Sequence, residues 1–171
     1  IEAGQFVIPE IQRPFVWKDT KVRDLFDSLY KGYPVGYFLF WANANIYGVK
    51  GIGTDVKQKF ANLLIVDGQQ RLTSLYAVLK GQEVIRENYE KTKIIIAFNP
   101  LENKFEVPDA AIKRNPRYYQ NISDLWQPNI NIFKVIMDFV ANLKNHIVVS
   151  DELEMKIQEA FMRLKNLENY P

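Results

Sequence analysis

The pattern of apolar and polar residues changes its period abruptly after residue 66. The run Leu63 to Val66 is continuously apolar and contains two β-branched residues, which is typical of a buried strand. Asp67-Gly68 interrupts the run, and the spacing then becomes i, i+3, i+4, i+7, as in an amphipathic helix. The helical apolar positions are Leu72, Leu75, Tyr76 and Leu79. The sequence therefore predicts a strand that turns directly into a helix.

The rest of the pattern predicts a mixed α+β fold, with a small sheet of about four to six strands and helices packed on it. The other predicted strands are Gln5–Ile8, Tyr37–Trp41, Lys93–Phe98 and Lys104–Val107, of which the last two form a hairpin. Because Tyr37–Trp41 is aromatic and apolar throughout, we expect it to be a central strand.

Three further helices are predicted. The first is capped by Asp19 or Thr20, and its buried face is Val22, Leu25, Phe26 and Leu29. The first of two closing helices buries Ile132, Phe133, Ile136, Val140 and Leu143. The second is capped by Ser150 and buries Leu153, Ile157, Phe161 and Leu164. We place the main domain at residues 1–127 and a helical extension at 128–171, which we interpret as the start of a further region of a longer protein.

Composition narrows the class of function. The 171 residues are 47% hydrophobic and 25% charged, as in an ordinary globular protein, and the net charge of +2 is too small to indicate nucleic-acid binding alone. No cysteine is present, which excludes disulfides and thiolate metal sites and fits the cytoplasm. The one histidine, His146, cannot build an HNH-type nuclease site. The apolar runs are too short to span a membrane, so no membrane partner is expected.

The residues Asp67 to Arg71 at the strand–helix turn are candidates for an anion site. A helix N-terminus carries partial positive charge, Gly68 leaves the backbone approachable, and Arg71 adds a permanent planar cation. The alternative is that Asp67 is an N-cap and the following residues are solvated helix formers. The absence of acidic residues from the first turn favours the anion site, and we expect Arg71 to be replaceable at little cost in stability.

Three motifs carry a resemblance to a known family. Ile8-Pro9-Glu10-Ile11-Gln12-Arg13-Pro14-Phe15-Val16-Trp17, Gly32-Tyr33-Pro34-Val35-Gly36 and Val66-Asp67-Gly68-Gln69-Gln70-Arg71-Leu72-Thr73 resemble the N-terminal domain family of GmrSD-type modification-dependent restriction systems. The likeness runs from about Gly4 to Leu79 and implies a wider relation to ParB/sulfiredoxin-like proteins. It implies that residues 1–127 bind and hydrolyse a nucleoside triphosphate, with Mg²⁺, in restriction of foreign or modified DNA.

The resemblance also implies roles for individual residues. The implied nucleotide- or phosphate-binding residues are Gln12, Arg13, Gly36, Gly68, Gln69, Gln70, Arg71 and Thr73. The implied catalytic residues are Asp67, Gln70 and Arg71, and Asp67 is also the candidate metal ligand. Gln12 and Arg13 are therefore expected to converge on the turn at Asp67 to Arg71. DNA is expected as a partner through the rest of the protein or a partner nuclease domain, and homodimerisation is left open.

Two other functions compete with nucleotide hydrolysis. One is a sensor that binds a nucleotide or a modified base without turnover. The other is a nuclease built from Asp67 and the hairpin residues Glu102-Asn103-Lys104, a D…E-x-K pattern that often occurs by chance. We expect the isolated domain not to cleave DNA. The basic and aromatic run Lys113 to Tyr119 is interpreted as a solvated edge rather than a nucleic-acid surface.

Overall fold

The computed structural model describes residues 6–9, 14–42, 49–51 and 63–169. Its α-helices are α1 (Asp19–Tyr30), α2 (Gln69–Lys80), α3 (Ala110–Arg114), α4 (Ile132–Lys144) and α5 (Asp151–Lys165). Its strands are β1 (Phe6–Pro9), β2 (Leu39–Ala42), β3 (Val49–Gly51), β4 (Leu63–Asp67), β5 (Glu83–Ile85), β6 (Lys91–Lys93), β7 (Ala97–Asn99) and β8 (Lys104–Glu106). The mixed α+β class predicted from the sequence is confirmed.

Four strands form the main sheet of the described residues, in the order β2-β4-β1-β3. β4 pairs parallel with β1 and antiparallel with β2, while β3 pairs antiparallel with β1. The prediction that residues 37–41 form a central strand is wrong, because β2 pairs only with β4 in the described sheet. Leu39 and Trp41 stay 57% and 62% exposed. Apolar content indicates a strand, but strand order depends on pairing between distant segments.

Helix α1 buries the face that its spacing predicts: Val22, Leu25, Phe26 and Leu29, joined by Tyr30. The predicted cap is wrong, since Asp19 is the first helical residue and the N-cap, Lys18, makes no side-chain cap bond. At the other end Gly32 has φ +76°, and Tyr33 N–H donates to the Ser28 carbonyl at 2.9 Å. This bond and the left-handed glycine complete a Schellman motif, which directs the chain toward β2.

Helix α2 begins directly after β4, as predicted, and ends at Gly81 with φ +63°. Its most buried residues are Ser74, Ala77 and Val78, whereas the predicted apolar stripe is only half-buried. The helix contacts α1, β5 and the 3-10 turn Ile122–Trp126, so its closest packing lies between these neighbours. Small residues occupy that line, since they allow the elements to approach closely.

The core lies mainly where the β7–β8 hairpin meets α1, α4 and α5. Phe98 packs against Phe105 in a tilted arrangement, with 4.8 Å between ring centroids, and Phe161 meets Phe98 edge-on at 6.1 Å. The predicted hairpin is confirmed, although the predicted strand Lys93–Phe98 is divided between β6 and β7. In α4 the prediction for Phe133 is wrong: it is 67% exposed, and Phe139 is buried in its place.

The two closing helices share this core with the rest of the chain. Trp126 Nε1 donates to the Lys165 carbonyl at 3.1 Å, across the predicted boundary at residue 127. The Ser150 hydroxyl caps α5 by accepting from Leu153 N–H, as predicted. The boundary itself stays a prediction, but residues on both sides of it contribute to one hydrophobic core. No helix in the described ranges is both long and apolar enough to cross a membrane.

Candidate functional site

The strand–helix turn at the end of β4 is built around Gly68. Gly68 has φ +91° and is the N-cap of α2, where no side chain accepts a cap hydrogen bond. The alternative that Asp67 caps the helix is therefore wrong. The Asp67 side chain is 74% exposed and contacts Arg71. A Cβ on Gly68 would lie 2.7 Å from a ring carbon of Phe38, so packing as well as φ requires glycine at this position.

Arg71 ties this turn to the segment before β2. Its Nη1 donates to the Val35 carbonyl at 2.5 Å, and its Nη2 donates to the Tyr37 carbonyl at 2.7 Å. Nη2 also lies 3.3 Å from Asp67 Oδ2, and the Arg71 side chain is only 17% exposed. Because of these bonds, we now expect the replacement of Arg71 to cost more stability than the sequence alone suggests. Arg71 is a structural clamp as well as a cation.

Gly36, one of the predicted phosphate-binding residues, lies directly against this clamp. Its φ is +88°, and a Cβ built on it would stand 2.0 Å from Arg71 Nη1. Glycine is therefore required both by the left-handed backbone and by the closeness of the guanidinium. The structure thus brings Gly36 and Gly68 to the same arginine from two distant segments, although they are 32 positions apart in the sequence.

Gln70 joins the first turn of α2 to the segment Pro14–Val16. Its Oε1 accepts from Val16 N–H at 3.0 Å, and its Nε2 donates to the Pro14 carbonyl at 3.0 Å. Gln12 and Arg13 lie outside the described residues, so their convergence on the turn stays a prediction. Pro14, the residue after Arg13, is nevertheless hydrogen-bonded to α2. Gln70 thus positions a loop with both ends of its amide.

A pocket of about 460 Å³ opens beside Gln70. Its lining residues are Val16, Trp17, Lys18, Thr20, Lys21 and Gln70. The pocket therefore lies between the first turn of α1 and the first turn of α2, at two helix N-termini without side-chain caps. Both termini contribute partial positive charge. The other two predicted residues of this turn, Gln69 and Thr73, are half-buried.

Lys18 and Lys21 are functional candidates that the sequence analysis did not identify. Lys21 Nζ lies 4.5 Å from the centroid of the Trp17 ring, which holds the ammonium at the pocket. A signal was present in the sequence, because basic residues at a helix start oppose the helix dipole and need another reason to be there. The sequence alone could not show that α1 and α2 begin side by side.

Arg86 is a second arginine clamp that the sequence did not indicate. It donates to the Trp17 carbonyl and to Asp19 Oδ1, and its Nε donates to Thr92 Oγ1 at 3.1 Å. Its guanidinium also lies 5.0 Å from the centroid of the Phe15 ring. The segment that lines the pocket is therefore held by both Arg86 and Gln70.

The residues predicted for a nuclease lie in ordinary structural contacts. Glu102 is in the β7–β8 turn, 4.0 Å from Arg117, and Lys104 pairs with Glu106. Across the described residues no group of three or more acidic or histidine side chains could hold a metal ion. In the run Lys113 to Tyr119, Tyr118 is buried and Tyr119 packs edge-on against Phe161, so these aromatics are not available for base stacking.

The fold and this turn define an α+β domain in which Arg71 and Gln70 tie a strand–helix junction to distant segments. The family model for the GmrSD restriction endonuclease, N-terminal domain, matches residues 1–167 of the sequence. The chain belongs to this family, and it is therefore a restriction-system domain. It is also similar to an uncharacterized protein of Methanocaldococcus jannaschii, at 26% identity over 128 residues. That match covers 68% of this chain but only 22% of the relative, so the chain spans about a fifth of that protein's length.

Proposed function

We propose that the junction of α1 and α2 binds a nucleoside triphosphate and hydrolyses it as the regulatory domain of a restriction system. The observation that carries the proposal is the pocket between two uncapped helix N-termini, lined by Lys18, Lys21 and Gln70. Helix N-termini and lysines neutralise phosphate charge, and Trp17 supplies an apolar wall. The family match supports the restriction-system part of the proposal, because the matching family is the N-terminal domain of a restriction endonuclease.

Phosphoryl transfer depends mainly on positioning and on neutralising charge, which are the properties that this site offers. Lys18 and Lys21 would face the phosphates from α1 and Gln70 would face them from the first turn of α2. Arg71, the next residue of that turn, would contact a phosphate that reaches beyond the pocket lining. Asp67 is exposed at this turn and would hold Mg²⁺. One carboxylate fits, since Mg²⁺ is commonly bound by one or two carboxylates together with substrate phosphates and water. The metal would neutralise charge that develops on the phosphates.

A second candidate function is a sensor that binds the nucleotide without hydrolysing it. Two observations favour it. Gln70 uses both ends of its amide on the backbone of Pro14 and Val16, which leaves little freedom to orient a water molecule. In the described ranges Asp67 also belongs to no group of three or more acidic or histidine side chains that could hold a metal ion. In either case we propose that DNA is contacted through the remainder of the protein or through a partner nuclease domain.

Calorimetric titration of the chain with ATP and GTP, with and without Mg²⁺, tests the proposal when combined with an assay of phosphate release. Binding with release supports the hydrolase, and binding without release supports the sensor. Lys21→Ala should weaken binding roughly two- to fivefold, as expected for an exposed charge contact. Lys134→Ala removes an exposed lysine of α4 and is the matched control. If the parent protein binds neither nucleotide, the proposal is wrong.

A further inference from the structure

At the start of α2 an acidic side chain, Asp67, contacts the arginine of the proposed site, Arg71. Asp67 Oδ2 lies 3.3 Å from Arg71 Nη2, and the Asp67 side chain is 74% exposed while that of Arg71 is 17% exposed. The carboxylate therefore stands on the solvent side of the guanidinium, where an incoming anion would arrive. A carboxylate and a phosphate oxygen make the same charge-assisted contact with arginine. This similarity raises the question of which partner of Arg71 a phosphate would replace.

The donor geometry of Arg71 requires that one partner be replaced. A guanidinium can grip a phosphate with two parallel N–H groups on either of two edges, and Nη2 belongs to both edges. Nη2 has two hydrogens, and it already contacts the Tyr37 carbonyl and Asp67. A two-pronged contact with phosphate therefore displaces either the carbonyl or the carboxylate.

The relative cost of the two exchanges identifies Asp67 as the partner that leaves. The bonds to the Val35 and Tyr37 carbonyls are short, 2.5 and 2.7 Å, and breaking them would leave backbone acceptors without their charged donor. The guanidinium is also packed against Gly36, so it cannot move without moving that segment. The Asp67 contact, like the bond to Tyr37, is exposed, but at 3.3 Å it is longer than either carbonyl bond and is the weakest of the three.

We propose that Asp67 is an internal competitor for Arg71, and that a phosphoryl group of the bound nucleotide takes its place on Nη2. This inference rests on the proposed function and assigns Asp67 a specificity role in it. Every anion must first displace the carboxylate, so only a ligand with further contacts in the pocket binds well. Val35 and Tyr37 keep their bonds to Arg71 throughout. The displaced carboxylate lies beside the phosphates, where it opposes metal-free binding.

Calorimetric titration with inorganic tripolyphosphate in the presence of EDTA tests this exchange. Asp67→Asn should bind metal-free tripolyphosphate roughly two- to fivefold tighter than the parent, the range expected for loss of an exposed ion pair. Asp24→Asn removes the same charge from another exposed pair, that of Asp24 with Arg23, and should leave affinity unchanged. Unchanged or weaker binding by Asp67→Asn would overturn the proposal.

A double-mutant comparison separates competition for Arg71 from simple charge repulsion. In an Arg71→Gln background, Asp67→Asn should give a smaller gain in affinity than it gives in the parent. An equal gain in both backgrounds would mean that Asp67 acts only through its charge, and the competitor role would be lost. If the parent binds tripolyphosphate and Asp67→Asn binds it less tightly, the competitor role is wrong but the proposed function is not. If neither the parent nor Asp67→Asn binds tripolyphosphate or nucleotide, the proposed function fails with it.

Discussion

Two regions of the molecule are stabilised by different kinds of interaction. One is the sheet side, which consists of the four-stranded sheet and the start of α2, and the other is the aromatic core. On the sheet side, segments distant in sequence are joined by polar side chains that donate to backbone carbonyls, as Arg71 does to Val35 and Tyr37. In the core, Phe98, Phe105 and Phe161 pack ring against ring with almost no exposure. Polar clamps have partners that can be exchanged, whereas buried rings do not. We therefore expect mutations in the core to change mainly stability and mutations of the polar clamps to change binding as well.

Truncation of a core ring should have the largest effect on stability. Phe161 contacts the rings of Phe98, Tyr119 and Phe139. Phe161→Ala should lower the free energy of unfolding by about 3–5 kcal/mol, because it leaves a cavity among rigid rings. Urea denaturation followed by circular dichroism measures this loss. Phe133→Ala, on the exposed face of α4, is the control and should cost less than about 1 kcal/mol. Equal losses in the two variants would contradict the division between core and surface.

Removal of Arg71 should cost less stability than removal of Phe161 but should also weaken binding. Arg71→Ala should lose about 2–3 kcal/mol of folding free energy, since two carbonyls lose a charged donor. It should also weaken nucleotide binding about ten- to a hundredfold, and Arg71→Lys should restore only part of it.

Arg86→Ala is the matched control for this prediction. Arg86 is similarly enclosed, at 21% side-chain exposure, and also donates to a backbone carbonyl and an aspartate. It should lose comparable stability, while its nucleotide affinity, measured by calorimetry below the unfolding transition, should fall less than that of Arg71→Ala, because Arg86 acts only through the segment that lines the pocket. If both variants lose affinity equally, Arg71 acts on the ligand only through folding.

Gly36→Ala should be milder than Arg71→Ala, because the guanidinium is shifted rather than removed. A methyl group would stand 2.0 Å from Arg71 Nη1 at a left-handed backbone, so we expect a loss of about 1–2 kcal/mol and weaker nucleotide binding. Gly32→Ala has the same kind of backbone, φ +76°, but its added methyl would meet nothing within 4 Å. The two melting temperatures therefore separate backbone strain from displacement of Arg71. Identical behaviour of both variants in melting and binding would show that Arg71 is not displaced.

The smallest predicted effect is confined to alkaline pH. Burial, together with the nearby charge of Asp124, raises the pKa of Tyr119 to about 12. Between about pH 10 and 12 the unfolded chain releases this proton while the folded protein retains it, so stability falls across that window. We expect a loss of about 1 kcal/mol, because the side chain is only partly buried. Urea denaturation at pH 9 and pH 11 should show a smaller loss for Tyr119→Phe than for the parent. A parent-like loss in that variant would contradict this role.

The sequence predicts well the features that depend on neighbouring residues. The unit from Leu63 to Leu79, the β7–β8 hairpin and the Ser150 cap are confirmed, since each follows from local periodicity or turn chemistry. It does not predict which partner a distant segment finds. The edge position of β2, the Gly36–Arg71 contact and the clamp at Arg86 all depend on tertiary pairing. The exchange of Phe133 for Phe139 in the core has the same cause, because both lie on an apolar helix and only its neighbours select the buried face.

The parallel pairing of β1 with β4 has a consequence for the order of folding. Phe6 and Val7 pair with Leu63 and Leu64, so this contact closes a loop of more than fifty residues before any hydrogen bond forms. The β7–β8 hairpin and the α4–α5 pair join segments that are close in sequence and close much shorter loops. Contacts between distant segments form late because their entropy cost is incurred first. We therefore expect the β7–β8 hairpin and the α4–α5 pair to form early. The β1–β4 pairing and the contact of Phe98 with Phe161, each between residues more than fifty positions apart, should form later.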